Sequence, residues 1–207
     1  MEVMMAGLEK QLAAGARQAQ AVLRHGFSPA RVHKMLPYTM EAEAHRLLAS
    51  GSARPVMIEW CCDIDSALSL EASARGCIVH RFDGRSALRD VTTTTGREAA
   101  HRIIRAAGEM GRRIYMHASL PCTSWSPWQN LNARTPRAKQ QLAATRARST
   151  KMVADFTTLA RLAVKHRATV TYEWPASSAG WHAHRCPAIE PLRAVLRHQA
   201  RVDGCGF

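Results

Sequence analysis

The segment PVMIEWCC, residues 55–62, is short and almost wholly apolar, which is typical of a β-strand buried on both faces. Three further runs of this kind follow at residues 77–82 (CIVHRF), 113–120 (RIYMHASL) and 168–173 (ATVTYE). Between them, and after the last, helices are predicted over residues 65–75, 97–110, 137–166 and 188–198. Strands that alternate with helices are typical of an α/β fold, with a mostly parallel sheet and helices on both faces.

The first quarter of the chain has a different pattern. An amphipathic helix is predicted over residues 2–25, and shorter helices are predicted from residue 28 and over residues 40–49. We therefore predict a helical N-terminal extension, residues 1–52, followed by a Rossmann-like domain, residues 53–207, with a fifth strand near 200–205. The helix over residues 2–25 is also a candidate contact for a protein partner.

The chain is strongly basic, with 29 Lys and Arg against 16 Asp and Glu and a formal net charge of +13. Such a domain attracts polyanions, of which nucleic acid is the commonest. A codon bias toward Arg, Ala and Gly explains the same composition, so both interpretations stay open.

The six cysteines contain no CxxC pair, and no apolar run reaches the length of a membrane span. We therefore expect an intracellular protein of the cytoplasm or nucleus, with no membrane contact. His182, His184, Cys186 and Cys205 have zinc-ligand side chains, but their spacing is not a standard one. We favour a solvated basic loop there, and we predict no metal.

Ligands of parallel α/β sheets bind beyond the carboxyl ends of the strands. The first strand ends in Glu59, Trp60, Asp63 and Asp65, without the glycines of a phosphate-binding turn. These acids suit a hydroxyl or an amino group, although Asp63 or Asp65 alone is also a typical N-cap for the next helix.

The second strand ends at Asp83, in a position where an acid commonly accepts hydrogen bonds from ribose hydroxyls. Because Gly84 follows it, a simple Asp-Gly turn explains this residue equally well. Asp90 is a further candidate for the same cleft.

The third strand leads into Pro121 and Cys122, at the start of an irregular loop predicted over residues 121–136. A thiol in this position is a candidate nucleophile, and Trp125 and Trp128 are candidates to stack on a base. The alternative is an inert buried cysteine beside two core tryptophans.

The fourth strand ends in Glu173, an acid that is costly to bury unless it is paired or used. If the third and fourth strands are neighbours, Glu173 faces Cys122 across one cleft. A nucleophile beside an acid suits attack on a ring followed by protonation.

These motifs resemble a known family. Pro121-Cys122 with Ser124 or Ser126 resembles the catalytic proline-cysteine motif of the cytosine carbon-5 DNA methyltransferases. Glu173, which precedes Trp174-Pro175, resembles the glutamate of that family's Glu-Asn-Val motif. The strings Leu-Pro-Cys-Thr-x-Trp-Ser and Glu-Trp-Pro are similar to methyltransferase-like segments of retroelement and viral polyproteins. The resemblance covers residues 55–205 and makes the second domain a methyltransferase-type domain.

The resemblance implies S-adenosylmethionine as cofactor and a cytosine in nucleic acid, DNA in preference to RNA, as substrate. It assigns catalysis to Cys122 and Glu173, which would attack carbon 6 and hold ring nitrogen 3 of an unstacked base. The implied cofactor contacts are Glu59, Trp60, Asp63, Asp65, Asp83, Asp90 and Pro121. The expected nucleic-acid contacts are Ser124, Trp125, Trp128, Gln129, Arg134 and Arg137, with Arg112 and Arg113 as further phosphate candidates.

The chain departs from the family at two places. The glycine-rich cofactor turn is replaced by Trp60-Cys61-Cys62-Asp63, and Asn-Val after the glutamate is replaced by Trp174-Pro175. The alternative function is therefore a catalytically inactive, methyltransferase-like module that binds nucleic acid or assembles a larger polyprotein.

Overall fold

The computed structural model describes residues 54–63, 65–84, 88–196 and 198–200. The chain divides into two compact units, Met1–Gly51 and Ser52–Phe207. The helices predicted before residue 50 lie outside the described residues, as does nearly all of the strand predicted at residues 200–205.

The second unit contains a four-stranded sheet in which every strand is parallel to its neighbours. The strands are β1 (Val56–Trp60), β2 (Ile78–Phe82), β3 (Ile114–Ala118) and β4 (Thr169–Tyr172), and their order in the sheet is β2-β1-β3-β4. All five residues of β1 are buried, as its apolar sequence predicts for a central strand. The predicted α/β architecture with a parallel sheet is confirmed.

Five α-helices and two short 3-10 helices accompany these strands in the described residues. The α-helices are α1 (Ala67–Ala74), α2 (Thr94–Glu109), α3 (Trp128–Asn132), α4 (Pro136–Lys165) and α5 (Ile189–Val195). The 3-10 helices are Thr123–Trp125 and Ala179–Trp181. None of the described helices is long and apolar enough to cross a lipid bilayer.

The prediction of an irregular loop over residues 121–136 was wrong in its interior. A 3-10 turn and α3 fill most of it, because the side chain of Trp125 is buried and fixes the turn that carries it. The loop then ends at Thr135, whose hydroxyl caps α4 by accepting a hydrogen bond from the backbone N–H of Ala138 at 3.1 Å.

Helices lie on both faces of the sheet. Trp60, Ala118 and Tyr172 are in register and share one face, on which Phe156 of α4 packs with its ring 5.7 Å from that of Tyr172. Helix α2 packs against α4 on this side. Glu59 faces the opposite side, where it accepts hydrogen bonds from the start of α1.

The connectivity creates a point where the direction of the strand order reverses. From β1 the chain passes through α1 to β2 at one edge, and from β2 it crosses back through α2 to β3 on the other side of β1. In open α/β sheets the crevice beyond the carboxyl ends of two such strands is the usual ligand site. Here that crevice lies between the ends of β1 and β3.

Candidate functional site

The carboxyl end of β3 carries the candidate nucleophile at this reversal point. The chain continues from β3 through buried Leu120 and exposed Pro121 to half-buried Cys122. The indole N–H of Trp174 donates to the carbonyl of Leu120 at 2.8 Å, and the Cys122 carbonyl accepts from the backbone N–H of Trp125 at 2.9 Å. These two bonds hold the backbone on either side of the thiol.

The two tryptophans of this loop have opposite environments. Trp125 is only 1% exposed, its indole N–H donates to Ser149 at 2.8 Å, and its ring packs on Trp174. Trp128 is 69% exposed. A base can stack only on an open ring face. Trp128 offers such a face, whereas Trp125 is a core residue in this structure.

Glu173 lies at the same edge of the sheet, one strand away from the Cys122 loop. Its backbone N–H donates to the carbonyl of Ala118 at 3.0 Å, which extends the β3–β4 ladder to the end of the strand. Its side chain is 65% exposed, and its Oε1 lies 3.8 Å from Nε2 of His117. Among the residues that the structure describes, no hydrogen bond or ion pair joins Glu173 to Cys122.

His117 is a residue of this site that sequence reasoning missed. Its Nδ1 lies 2.8 Å from the hydroxyl of Thr171, while its Nε2 faces Glu173. The imidazole therefore bridges β3 and β4 on the face of the sheet opposite to Tyr172. The signal in the sequence was an ionisable side chain inside an otherwise apolar strand segment.

Tyr172 is the second residue that the sequence did not single out. Its hydroxyl is buried and has no hydrogen-bond partner among the described residues. Burial raises the pKa of this phenol, and the nearby thiols of Cys186, Cys122 and Cys61 raise it further. A buried donor without a partner beside the candidate nucleophile is a group that a bound ligand can satisfy.

The predicted cofactor residues on β1 are enclosed. Glu59 is 5% exposed, and its two carboxylate oxygens accept hydrogen bonds from the hydroxyls of Ser66, at 2.6 Å, and Ser69. Trp60 is fully buried against Phe82. Neither side chain reaches the crevice in this structure, because α1 covers Glu59 and Trp60 is packed in the core beside the sheet.

The acids after β1 are on the surface. Asp63 and Asp65 are exposed, and the N-cap of α1 is Ser66, whose hydroxyl accepts from the backbone N–H of Ser69 at 3.3 Å. The alternative in which either acid caps this helix was therefore wrong.

The turn after β1 has the backbone shape of a glycine turn without a glycine. Cys61 has a φ of 63°, in the left-handed region that favours glycine, and the backbone N–H groups of Cys61 and Cys62 both donate to the carbonyl of Phe82. Burial raises the pKa of Cys61 to about 11, with a smaller effect of Asp90. Burial, Glu59 and Asp83 together raise the pKa of Cys62 to about 12.

The two acids beyond β2 have different environments. Asp83 is half-buried directly after the strand, and Gly84 follows it with a φ of 77°. The Asp90 carboxylate is engaged within its own turn, because it accepts hydrogen bonds from the backbone N–H of Thr92 at 2.8 Å and from the Thr92 hydroxyl at 2.7 Å. Asp90 thus shapes the entry to α2, while Asp83 directly follows the carboxyl end of β2.

These environments decide how far the site fits S-adenosylmethionine. Carboxylates at the ends of β1 and β2 suit the amino group and the ribose hydroxyls of that cofactor, and Asp63, Asp65 and Asp83 stand there. Glu59, Trp60 and Asp90 do not fit this role, because each is buried or bonded within its own segment.

The arginines fall into two groups. Arg134 and Arg137 are exposed on the carboxyl side of the sheet, beside α3 and at the start of α4. Arg112 and Arg113 precede β3 and therefore lie at the opposite, amino-terminal edge, and Arg112 is only 6% exposed. Arg112 and Arg113 were wrong as phosphate contacts for this site, because a nucleic acid bound at the Cys122 loop lies at the other edge.

A cavity of about 260 Å³ adjoins the Cys122 loop. Gln129, Asn132 and Gln141 line it with carboxamides, and Thr123, Ser124 and Thr145 are also part of its wall. Ser124 is only 5% exposed, and its carbonyl accepts from the guanidinium of Arg146 at 3.0 Å. The cavity therefore lies between the loop and the first half of α4.

The histidine-rich segment before α5 does not gather metal ligands in the part of the chain that the structure describes. His182 and His184 are exposed with their rings 5.6 Å apart, and Cys186 is fully buried. No three His, Cys, Asp or Glu side chains of the described residues are arranged to hold a metal ion. Cys205 lies outside those residues.

Comparisons of the chain with protein-family models, with curated proteins and with solved structures find no match.

Proposed function

We propose that this chain transfers a methyl group from S-adenosylmethionine to carbon 5 of a cytosine in nucleic acid. The observation that carries the proposal is the placement of Cys122 and Glu173. They follow neighbouring parallel strands, β3 and β4, at the carboxyl edge of the sheet and beside the point where the strand order reverses. Each residue follows its strand by at most four positions, so a nucleophile and an acid lie at the same edge of the sheet.

The reaction uses these two residues in sequence. The Cys122 thiolate attacks carbon 6 of an unstacked cytosine and forms a sulfur–carbon bond, while the carboxylic acid of Glu173 donates its proton to ring nitrogen 3 and so neutralises the negative charge that moves into the ring. Carbon 5, now electron-rich, would take the methyl group from bound S-adenosylmethionine, which would leave as the neutral thioether S-adenosylhomocysteine. Water then takes the proton from carbon 5, and its electron pair re-forms the carbon 5–carbon 6 double bond and expels the Cys122 thiolate.

Two further features support this assignment. The enclosed hydroxyl of Tyr172 lies near Cys122 and has no hydrogen-bond partner among the described residues, so a base that reached it would satisfy it. Asp63, Asp65 and Asp83 provide acceptors for the amino group and hydroxyls of the cofactor at the adjoining strand ends.

The decisive experiment is covalent trapping with an oligonucleotide that contains 5-fluorocytosine, in the presence of S-adenosylmethionine. The wild-type chain should form a stable adduct, because fluorine at carbon 5 cannot leave as a proton does. Cys122→Ser should abolish both the adduct and methyl transfer. Cys77→Ser is the matched control, since Cys77 is also half-buried but precedes β2 at the opposite edge. Undiminished methylation by Cys122→Ser would sink the mechanism.

The burial of Glu59 and Trp60 favours one alternative, a methyltransferase-like module that binds nucleic acid without catalysis. A calorimetric titration with S-adenosylmethionine separates the two functions. If the titration shows a saturable heat of binding, and if the Asp83→Asn variant binds more weakly, the result supports the enzyme. If no heat of binding is detected, the result supports the inactive module.

A further inference from the structure

The first half of α4 extends away from the packed part of the domain. Its buried side chains begin at Ser149, and none of residues 136–148 is buried. At 1.5 Å per residue this exposed part is roughly 20 Å long. Together with α3 it forms a projection on the carboxyl side of the sheet, which we call the basic arm, residues 128–148.

The charge of this region has one sign. No Asp or Glu occurs between Glu109 and Asp155, whereas Arg and Lys occur throughout. The basic residues of this interval are Arg112, Arg113, Arg134, Arg137, Lys139, Arg146, Arg148 and Lys151. Within the arm, Arg137 and Lys139 are exposed and form no ion pair with any residue that the structure describes.

An ordinary solvated surface looks different in this same protein. On α2, Arg102 pairs with Glu98 at 3.4 Å and Arg105 pairs with Glu109 at 3.3 Å, each one helical turn apart. The arm has no such partners in its own sequence, so its like charges repel one another unless a polyanion lies along it. This contrast argues against a surface whose charges serve solubility alone.

The arm also carries groups that recognise bases. Trp128, 69% exposed, offers an open ring on which a base can stack. Beside it, the carboxamides of Gln129, Asn132 and Gln141 line the cavity of about 260 Å³, which is smaller than the ~300–1,000 Å³ of typical small-molecule pockets. A carboxamide presents an NH2 donor group beside a carbonyl acceptor, and the edge of an unpaired base pairs with such an arrangement.

We infer that the basic arm binds single-stranded nucleic acid, with phosphates along Arg134, Arg137 and Lys139 and a base against Trp128. The inference rests on the proposed function, because it names single-stranded nucleic acid as the form of the substrate that the proposed methyl transfer uses. In a duplex the base faces are stacked and the Watson–Crick edges are paired, so neither Trp128 nor the carboxamides can reach them. A single strand exposes both, along with the backbone charge.

The test measures binding of the full chain to single-stranded DNA, to single-stranded RNA and to duplex DNA of one sequence, at several salt concentrations. Arg134→Gln, Arg137→Gln and Lys139→Gln together should lower the salt dependence by about 2 in the log–log slope, since each phosphate contact contributes about 0.7. The matched control removes three exposed charges elsewhere, through Arg113→Gln, Arg161→Gln and Lys165→Gln, and should keep the wild-type slope.

Trp128→Ala should weaken single-strand binding about tenfold or more, and Trp128→Phe should restore most of it. Tighter binding to either single strand than to the duplex supports the inference, and the stronger of the two identifies DNA or RNA. Equal losses in the arm and control triple variants, or duplex binding at least as tight as single-strand binding, overturn it.

The binding readout does not depend on catalysis, so the two proposals fail separately. Cys122→Ser should bind single strands as the wild type does. If the wild-type chain binds single strands through the arm but shows no covalent trapping, the proposed function falls and the arm assignment stands. If trapping occurs but the arm variants bind normally, the arm assignment falls and the proposed function stands.

Discussion

His117 and Glu173 face each other across the ends of β3 and β4, with Nε2 of the imidazole 3.8 Å from Oε1 of the carboxylate. The other ring nitrogen lies 2.8 Å from the hydroxyl of Thr171, which fixes the imidazole on that side. The carboxylate to which we assign the base contact has this imidazole within ion-pair distance, and we expect the imidazole to orient it. It stands at the sheet edge that also carries the Cys122 loop.

This contact predicts a graded loss of activity. Glu173→Gln should lower kcat for methyl transfer by roughly 10²–10⁴, the range for a positioned acid or base, because an amide can hydrogen-bond ring nitrogen 3 but cannot transfer a proton to it. His117→Gln should lower kcat less, since it removes only the group that orients Glu173. Steady-state kinetics measure both, and an equal loss in the two variants would contradict the positioning role of His117.

The effect on stability should be small in both variants. The Glu173 side chain is 65% exposed, and pairs of this kind contribute ~0–1 kcal/mol. Urea unfolding of each variant provides the control that a kinetic loss is not a loss of fold.

Cys61 occupies a backbone conformation that glycine adopts without cost. With φ at 63°, a side chain at this position costs about 1–2 kcal/mol relative to glycine. Cys61→Gly should therefore be more stable than Cys61→Ala by roughly 1 kcal/mol. At half-buried Cys77, whose φ is not positive, the order should be reversed. Denaturant unfolding of the four variants tests this, and the same order at both positions would refute it.

Gly180 lies against two of the buried indoles. A Cβ at this position would stand 2.3 Å from Cζ3 of Trp174 and 3.0 Å from Cγ of Trp125. Because these rings are packed and hydrogen-bonded, Gly180→Ala should destabilise the domain by about 1–3 kcal/mol. Trp174→Phe removes the atoms that clash, so the double variant should lose less than the sum of the single losses. Additive losses in thermal unfolding would show that the clash is not the cause.

The raised pKa values of Cys61, about 11, and Cys62, about 12, predict slow modification of both thiols near neutral pH. Their alkylation rates should still rise between pH 9 and 11, since only the thiolate reacts. Mass spectrometry of peptides after timed alkylation measures this directly. A rate at either cysteine that levels off by pH 9 would argue against the raised values.

The same shifts predict how stability depends on pH. A thiol whose pKa is raised by folding contributes stability that is fully present below its unfolded pKa, near 8.5, and is lost as the pH rises through the folded value. The free energy of unfolding should therefore fall between pH 9 and 11. The double variant Cys61→Ala, Cys62→Ala should show a shallower fall in urea unfolding at these pH values.

Much of the fold could be predicted because hydrophobic periodicity is a local property. The apolar runs that contain β1, β2, β3 and β4 each gave a strand within two residues of the predicted bounds, and the helix predicted over residues 137–166 matches α4 within one residue at each end. The loop after Cys122 was mispredicted, because burial of Trp125 by Ser149 and Trp174 depends on segments 24 and more residues away.

The sequence by itself determined the parallel α/β architecture and the order of Cys122 and Glu173 along it, since each strand and its terminal residue are encoded in a few adjacent positions. Only the tertiary structure decided which side chains the site can use. It enclosed Glu59 under α1, buried Trp60 and Trp125, exposed Trp128, and set His117 against Glu173. Burial and cross-strand contact are properties of the assembled sheet and its helices, and for that reason no local pattern recorded them.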